Sequence, residues 1–166
     1  MKKLPFLLAA FLFILFQAQA QNLRKGRGAG KVQELGQAVF EGLQHNQFNN
    51  LQNYLPNDTE LKILKRRSSE DMRLVLEKTT PDSIKQNLLR DFNLIQEQAT
   101  QNMVNWNEWQ PTDTKVSRRD RKNPLLYRAE MALAHASGAE NSVLFEVVRI
   151  RGRYFLFKQM VFHPKK

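Results

Sequence analysis

The chain has 166 residues, a net charge of +10 with one quarter of its residues charged, and no cysteine. The absence of cysteine excludes thiol catalysis, thiolate zinc sites and iron–sulfur clusters, and leaves stability to packing rather than to disulfides. The length suits one ordinary domain with a real core.

Lys2 and Lys3 precede an almost unbroken apolar run from Leu4 to Phe16, followed by Ala18-Gln19-Ala20. A positive start, an apolar middle and small residues at the cleavage positions describe a secretory signal. The run is shorter than the ~20 residues a spanning helix needs, so cleavage near Ala20 is expected, with an uncleaved anchor the lesser alternative. No cysteine follows the run to carry a lipid. Cleavage leaves residues 21–166, 166 − 20 = 146 in all, and removes two lysines and no acid, giving 10 − 2 = +8. The expected location is therefore periplasmic or extracellular, with no transmembrane anchor after cleavage.

Residues 21–31 interleave Arg24, Lys25, Arg27 and Lys31 with Gly26, Gly28 and Gly30, a flexible basic leader. Its GxGxG lacks the preceding strand and the Lys-Ser/Thr that a phosphate loop requires. From Val32 the apolar residues Val32, Leu35, Val39 and Leu43 follow helical spacing. A polar break at Gln44–Gln47 precedes a short helix with Phe48, Leu51 and Leu55 on one side, closed by Pro56. Asn57-Asp58-Thr59 forms a cap cluster for a helix to Arg67, with Leu61 and Leu64 inward and Lys62, Lys65, Arg66 and Arg67 as a cationic edge. Ser68-Ser69-Glu70-Asp71 starts another, with acids in its first turn and Met72, Val75 and Leu76 apolar. Thr80-Pro81-Asp82-Ser83 is the strongest helix start. Ile84, Leu88, Phe92, Ile95, Ala99 and Met103 then predict a long amphipathic helix over Pro81 to Val104.

Beyond the two tryptophans, Trp106 and Trp109, residues 112–119 predict a weakly apolar edge strand. Three strands follow: Leu125–Ala136, Val143–Ile150 and Tyr154–Phe162. The first should turn Leu125, Tyr127, Ala129, Met131, Leu133 and His135 to the helices, since the other side carries Arg128 and Glu130. A three-residue loop at Ile150-Arg151-Gly152 and a two-residue loop at Arg151-Gly152 give opposite registers for the last hairpin. Because both faces of that hairpin are apolar, the second face needs a cover: further packing of this chain, or a homodimer that packs sheet against sheet. The expected class is α+β, N-terminal helices on a curved antiparallel sheet of three to four strands, one domain over 32–166.

This order resembles the NTF2-like (cystatin-like α+β) superfamily. The residues that carry the resemblance are Gly36-Gln37-Ala38-Val39-Phe40-Glu41-Gly42-Leu43, Phe48-Asn49-Asn50-Leu51 leading to Tyr54-Leu55-Pro56, and Val147-Val148-Arg149-Ile150-Arg151-Gly152-Arg153-Tyr154-Phe155-Leu156. The resemblance implies a cone with an internal pocket and frequent dimerisation. Enzymes of that superfamily place Asp with His, Tyr or Asp in the pocket, and no Asp–His pair falls on the predicted strands here.

The chemistry is sparse. His45, His135 and His163 lack metal-ligand spacing, so neither a metal nor a cofactor is expected, and Glu130 and His135 lie on opposite faces of one strand. Tyr54, Trp106, Trp109 and Tyr127 are candidates for lining a cone mouth around an apolar ligand with polar tips. Lys65, Arg66 and Arg67, then Arg118, Arg119 and Arg121 with Lys122, and then Arg149, Arg151 and Arg153 form basic clusters that suit an anionic envelope component. The export signal makes nucleic acid the less favoured anion. The expectation is an exported non-enzymatic binding or structural module; the alternative is a small-molecule enzyme using the cone pocket.

Overall fold

The structure, a computed structural model, describes residues 26–119 and 122–164. The expected signal peptide, the start of the leader and Arg121 lie outside the described residues. The fold is α+β: α1 (Val32–Gln44), a 3₁₀ helix (Phe48–Tyr54), α2 (Asp58–Arg67), α3 (Glu70–Glu77), α4 (Pro81–Gln101), a 3₁₀ turn (Trp106–Glu108), and the strands β1 (Trp109–Arg118), β2 (Leu126–His135), β3 (Glu140–Ile150) and β4 (Arg153–Pro164). The strands form one antiparallel meander in the order β1-β2-β3-β4, with β1 at an edge as expected.

The helix starts follow local chemistry. Asn57 accepts from the backbone N–H of Thr59 and Glu60 while the Glu60 carboxylate accepts from the N–H of Asn57, a reciprocal cap. Thr80 and Ser83 make the same exchange at α4, with Pro81 in the first turn. Ile84, Leu88, Phe92, Ile95 and Ala99 are all buried. Met103 departs from the expected stripe and is 93% exposed, because α4 ends three residues short of Val104. There Met103 takes a left-handed φ of 55°, and Val104 N–H turns back to the carbonyl of Ala99 at 2.8 Å.

The pairing register puts Tyr127, Ala129, Met131 and Leu133 beside Val147, Phe145, Val143 and Asn141, and then beside Leu156, Met160, Phe162 and Pro164. This face receives the helices: α4 packs on β4 and α1 on β1. Two contacts fix how closely. A Cβ on Gly36 of α1 would lie 2.1 Å from Thr114 Oγ1, so only glycine lets α1 approach β1 this far. On α4, the buried Asp91 carboxylate accepts from the Met160 N–H at 3.2 Å, where the β3–β4 register shifts.

The last hairpin uses the two-residue loop. Ile150 pairs with Arg153, and Arg151 and Gly152 have φ of 51° and 80°, the left-handed pair of a type I′ turn. That register sends Phe155, Val148, Ile150 and Leu126 to the second face, where all four are buried. The chain itself covers this corner. Gly28 sits on the Phe155 ring, and Ala29 and Tyr154 exchange two backbone hydrogen bonds at 2.9 and 2.8 Å. The end of the leader is thus fixed along the otherwise unpaired edge of β4, where Arg153 donates to the carbonyls of Gly26, Arg27 and Gly28. Leu64 of α2 and Met72 of α3 close against Pro124, Leu125 and Leu126.

Candidate functional site

The meander brings the end of β1, the starts of β2 and β4 and the end of β3 to one end of the sheet. Three basic stretches far apart in sequence gather there. Arg118 is paired opposite Tyr127 and Arg149 opposite Tyr154, while Arg151 occupies the turn itself. Arg67 at the end of α2 lies against the loop at Asn123 and Pro124, which Ser69 also holds through a 2.7 Å bond to Asn123 Oδ1. Lys65 is half-buried and Arg66 exposed on the same last turn.

These cations have different duties. Arg119 is paired with Glu146, and Arg153 holds the leader. The Arg149 guanidinium lies 5.4 Å from the Tyr154 ring centre, and Tyr154 meets Tyr127 edge to face at 6.3 Å. Arg118 and Arg151 are exposed and make no ion pair among the described residues. The basic end therefore combines free cations with two aromatic rings.

The four candidate aromatic residues do not gather at one place. Trp106 is buried, donates its indole N–H to Gln96 Oε1 at 2.9 Å, and packs edge-on against Phe40 and Phe162. Trp109 is buried against His135. Tyr127 belongs to the basic end. Tyr54 is half-buried beside α1; burial raises its phenol above the usual value, and Glu34 and Glu41 add to the shift. No protein-family model and no curated protein sequence matches this chain. Its chemistry must be read from its own side chains.

His135 finds an acid that the sequence reading did not pair with it. Cross-strand pairing of Trp109 with His135 brings Glu108 alongside, and His135 Nε2 meets Glu108 Oε2 at 3.2 Å. The signal for this contact is the β1–β2 register. On the other ring nitrogen, Nδ1 accepts the Ser137 N–H at 3.1 Å with the Ser137 hydroxyl at 2.7 Å. That leaves the neutral ring's proton on Nε2, directed at Glu108. The Glu108 carboxyl is held below the usual carboxylate range, first by the Asn105 amide and then by His135. Ser-His-Glu order resembles an acyl-transfer array, but Ser137 and Glu108 are exposed, His135 is half-buried, and the Ser137 N–H uses the same ring nitrogen as its hydroxyl, so the contacts tie the β2–β3 turn to the start of β1.

The outer half of the second face holds a shallow cavity of about 330 Å³, lined by Arg128, Glu146, Gln159 and His163 with Leu144 and Val161. Glu146 is 5% exposed; Oε1 meets Arg119, and Oε2 has no hydrogen-bond partner. Among the described residues no group of three His, Asp or Glu is placed to hold a metal ion, and no helix is long and apolar enough to cross a membrane.

Proposed function

We propose that this protein is an exported, non-enzymatic binding module that docks on an anionic envelope surface through the basic end of its sheet. The observation that carries this reading is the convergence of Arg67, Arg118, Arg149 and Arg151 from three distant stretches, all four exposed and without an ion pair among the described residues. Each exposed cation contributes about 1 kcal/mol near a negatively charged lipid surface, and the sum is screened within a Debye length. Tyr127 and Tyr154 supply the amphipathic rings that suit a headgroup boundary.

An NTF2-like build is part of the proposal, supported by the order of helices before a four-stranded meander, the long capped α4 across the sheet, and the glycine turn between β3 and β4. The non-enzymatic reading is supported by the close filling of the helix-covered face by Phe92, Phe145, Met131 and Leu88, and by the openness of the Glu108–His135 pair. A homodimer through the outer half of the second face is a second reading. It is favoured by Leu144 and Val161, half-buried and apolar beside Arg128 and Glu130, opposite charges that a two-fold axis would bring together.

Salt elution from immobilised heparin tests the anionic site. Arg118→Ala with Arg151→Ala should elute at distinctly lower salt than the parent, whereas Lys78→Ala with Lys85→Ala, which removes the same charge elsewhere, should shift it much less. Equal shifts would reduce the interaction to net charge and remove the site.

A further inference from the structure

One stretch of the chain stands apart from the rest in composition. Residues 42–57 contain no Asp, Glu, Lys or Arg, in a chain where one residue in four is charged, and are filled instead with Asn and Gln. In the 3₁₀ helix Phe48–Tyr54, residues three apart eclipse one another. Phe48, Leu51 and Tyr54 therefore form one row against the core, the first two buried and the third half-buried. The remaining rows carry amides, Gln47, Asn50 and Asn53 on one and Asn49 and Gln52 on the other, and all five are exposed.

The amides order one another. Asn50 Nδ2 donates to Gln47 Oε1 at 2.9 Å, and Gln52 Nε2 donates to Asn49 Oδ1 at 3.1 Å. Each bond consumes one donor hydrogen and leaves Gln47 Nε2 and Asn49 Nδ2 as donors and Asn50 Oδ1 and Gln52 Oε1 as acceptors at the surface. This ridge stands between two grooves. One, about 710 Å³, runs against α4 beside Lys85 and Leu89; the other, about 440 Å³, runs against α1 beside Glu41 and Tyr54. Asn49 and Asn50 line both.

We propose that the amide ridge and its two grooves bind a neutral polysaccharide chain. A sugar hydroxyl both donates and accepts, and a fixed primary amide offers a donor and an acceptor in one plane, so adjacent hydroxyls find matched partners without burying a charge. Because the amides already hold each other, little rotamer freedom is lost on binding. The Tyr54 ring supplies an apolar surface for the C–H face of a sugar. One lysine and one glutamate cancel across the grooves, so the ligand that the basic end attracts has no electrostatic reason to sit here. The site goes beyond anionic docking and does not depend on it.

Native electrophoresis at acidic pH, through gels cast with dextran, yeast mannan, laminarin or hydroxyethylcellulose, tests the proposal on the full chain from Gln21. At least one polysaccharide should retard the protein. Asn49→Ala with Asn50→Ala should weaken that interaction at least tenfold while leaving the thermal midpoint and heparin elution unchanged, since both side chains are exposed. Mobility unaffected by all four polysaccharides would overturn the proposal. So would retardation that survives in the double variant.

Discussion

Replacing either partner of the Arg119–Glu146 pair should have opposite consequences for stability. Glu146 is buried, Oε1 depends on Arg119, and Oε2 has no hydrogen-bond partner. Breaking a buried pair by removing one partner costs about 3–5 kcal/mol, because the other charge stays behind. The Arg119 side chain is 40% exposed, so water and salt share the work and about 2 kcal/mol is the expected cost of Arg119→Ala. Glu146→Leu instead removes the charge and the unsatisfied oxygen together, and an unsatisfied buried acceptor itself costs about 1–3 kcal/mol. It should therefore be neutral or stabilising by about 1 kcal/mol, and the double variant should match it. At about 3 °C per kcal/mol for a domain of this size, calorimetry should show Arg119→Ala lowered by roughly 6 °C, with Glu146→Leu level or higher. If Glu146→Leu falls as far as Arg119→Ala, the buried pair stabilises the sheet and the reasoning fails. A functional corollary follows: Arg119 belongs to the framework, so its loss should alter heparin elution less than loss of Arg118.

Gly36→Ala places a methyl 2.1 Å from Thr114 Oγ1 and should destabilise by roughly 1–3 kcal/mol despite alanine's better helix propensity; adding Thr114→Ala should restore part of it in urea titrations. The Tyr54 phenol is raised above its ordinary 10.0, so its contribution to stability is present below pH 10 and is lost as pH rises through the folded value. Between pH 9 and 11 the thermal midpoint should fall more steeply for the parent than for Tyr54→Phe, and equal slopes would contradict the assignment. If the second face forms a homodimer, light scattering at micromolar concentration should give twice the chain mass, and Leu144→Lys should return a monomer.

Much of the architecture is legible in local signals. The Asn57 and Thr80 caps, the four- and three-residue spacing from Ile84 to Ala99, and the alternation of Tyr127, Ala129, Met131 and Leu133 each depend on neighbours within a few residues, and each is found in the structure. What needed the fold was pairing. The register at Arg151-Gly152 depends on which loop the strands select, and it decides whether Phe155 faces the helices or the second face. Glu108 reaches His135 because β1 pairs with β2, and Ala29 at the end of the leader is held by backbone hydrogen bonds to the edge of β4. The candidate site divides the same way. Basic clusters stand out in the sequence, but their convergence follows from the meander, and nothing local distinguishes Arg119, bound to Glu146, from the free Arg118. At the amide ridge the expected row of Phe48, Leu51 and Leu55 follows α-helical spacing, whereas the segment is a 3₁₀ helix whose period of three sets Tyr54 with Phe48 and Leu51.

The most direct test of anionic docking is co-sedimentation of the chain from Gln21 with vesicles of phosphatidylcholine alone and of phosphatidylcholine with phosphatidylglycerol, across 50–300 mM salt, over which the Debye length falls from about 14 to 6 Å. The account predicts binding only to the anionic vesicles, falling steeply with salt, and a large loss in Arg118→Ala with Arg151→Ala at unchanged thermal midpoint. Binding that is equal on both vesicle types, or that survives in the double variant, would contradict it.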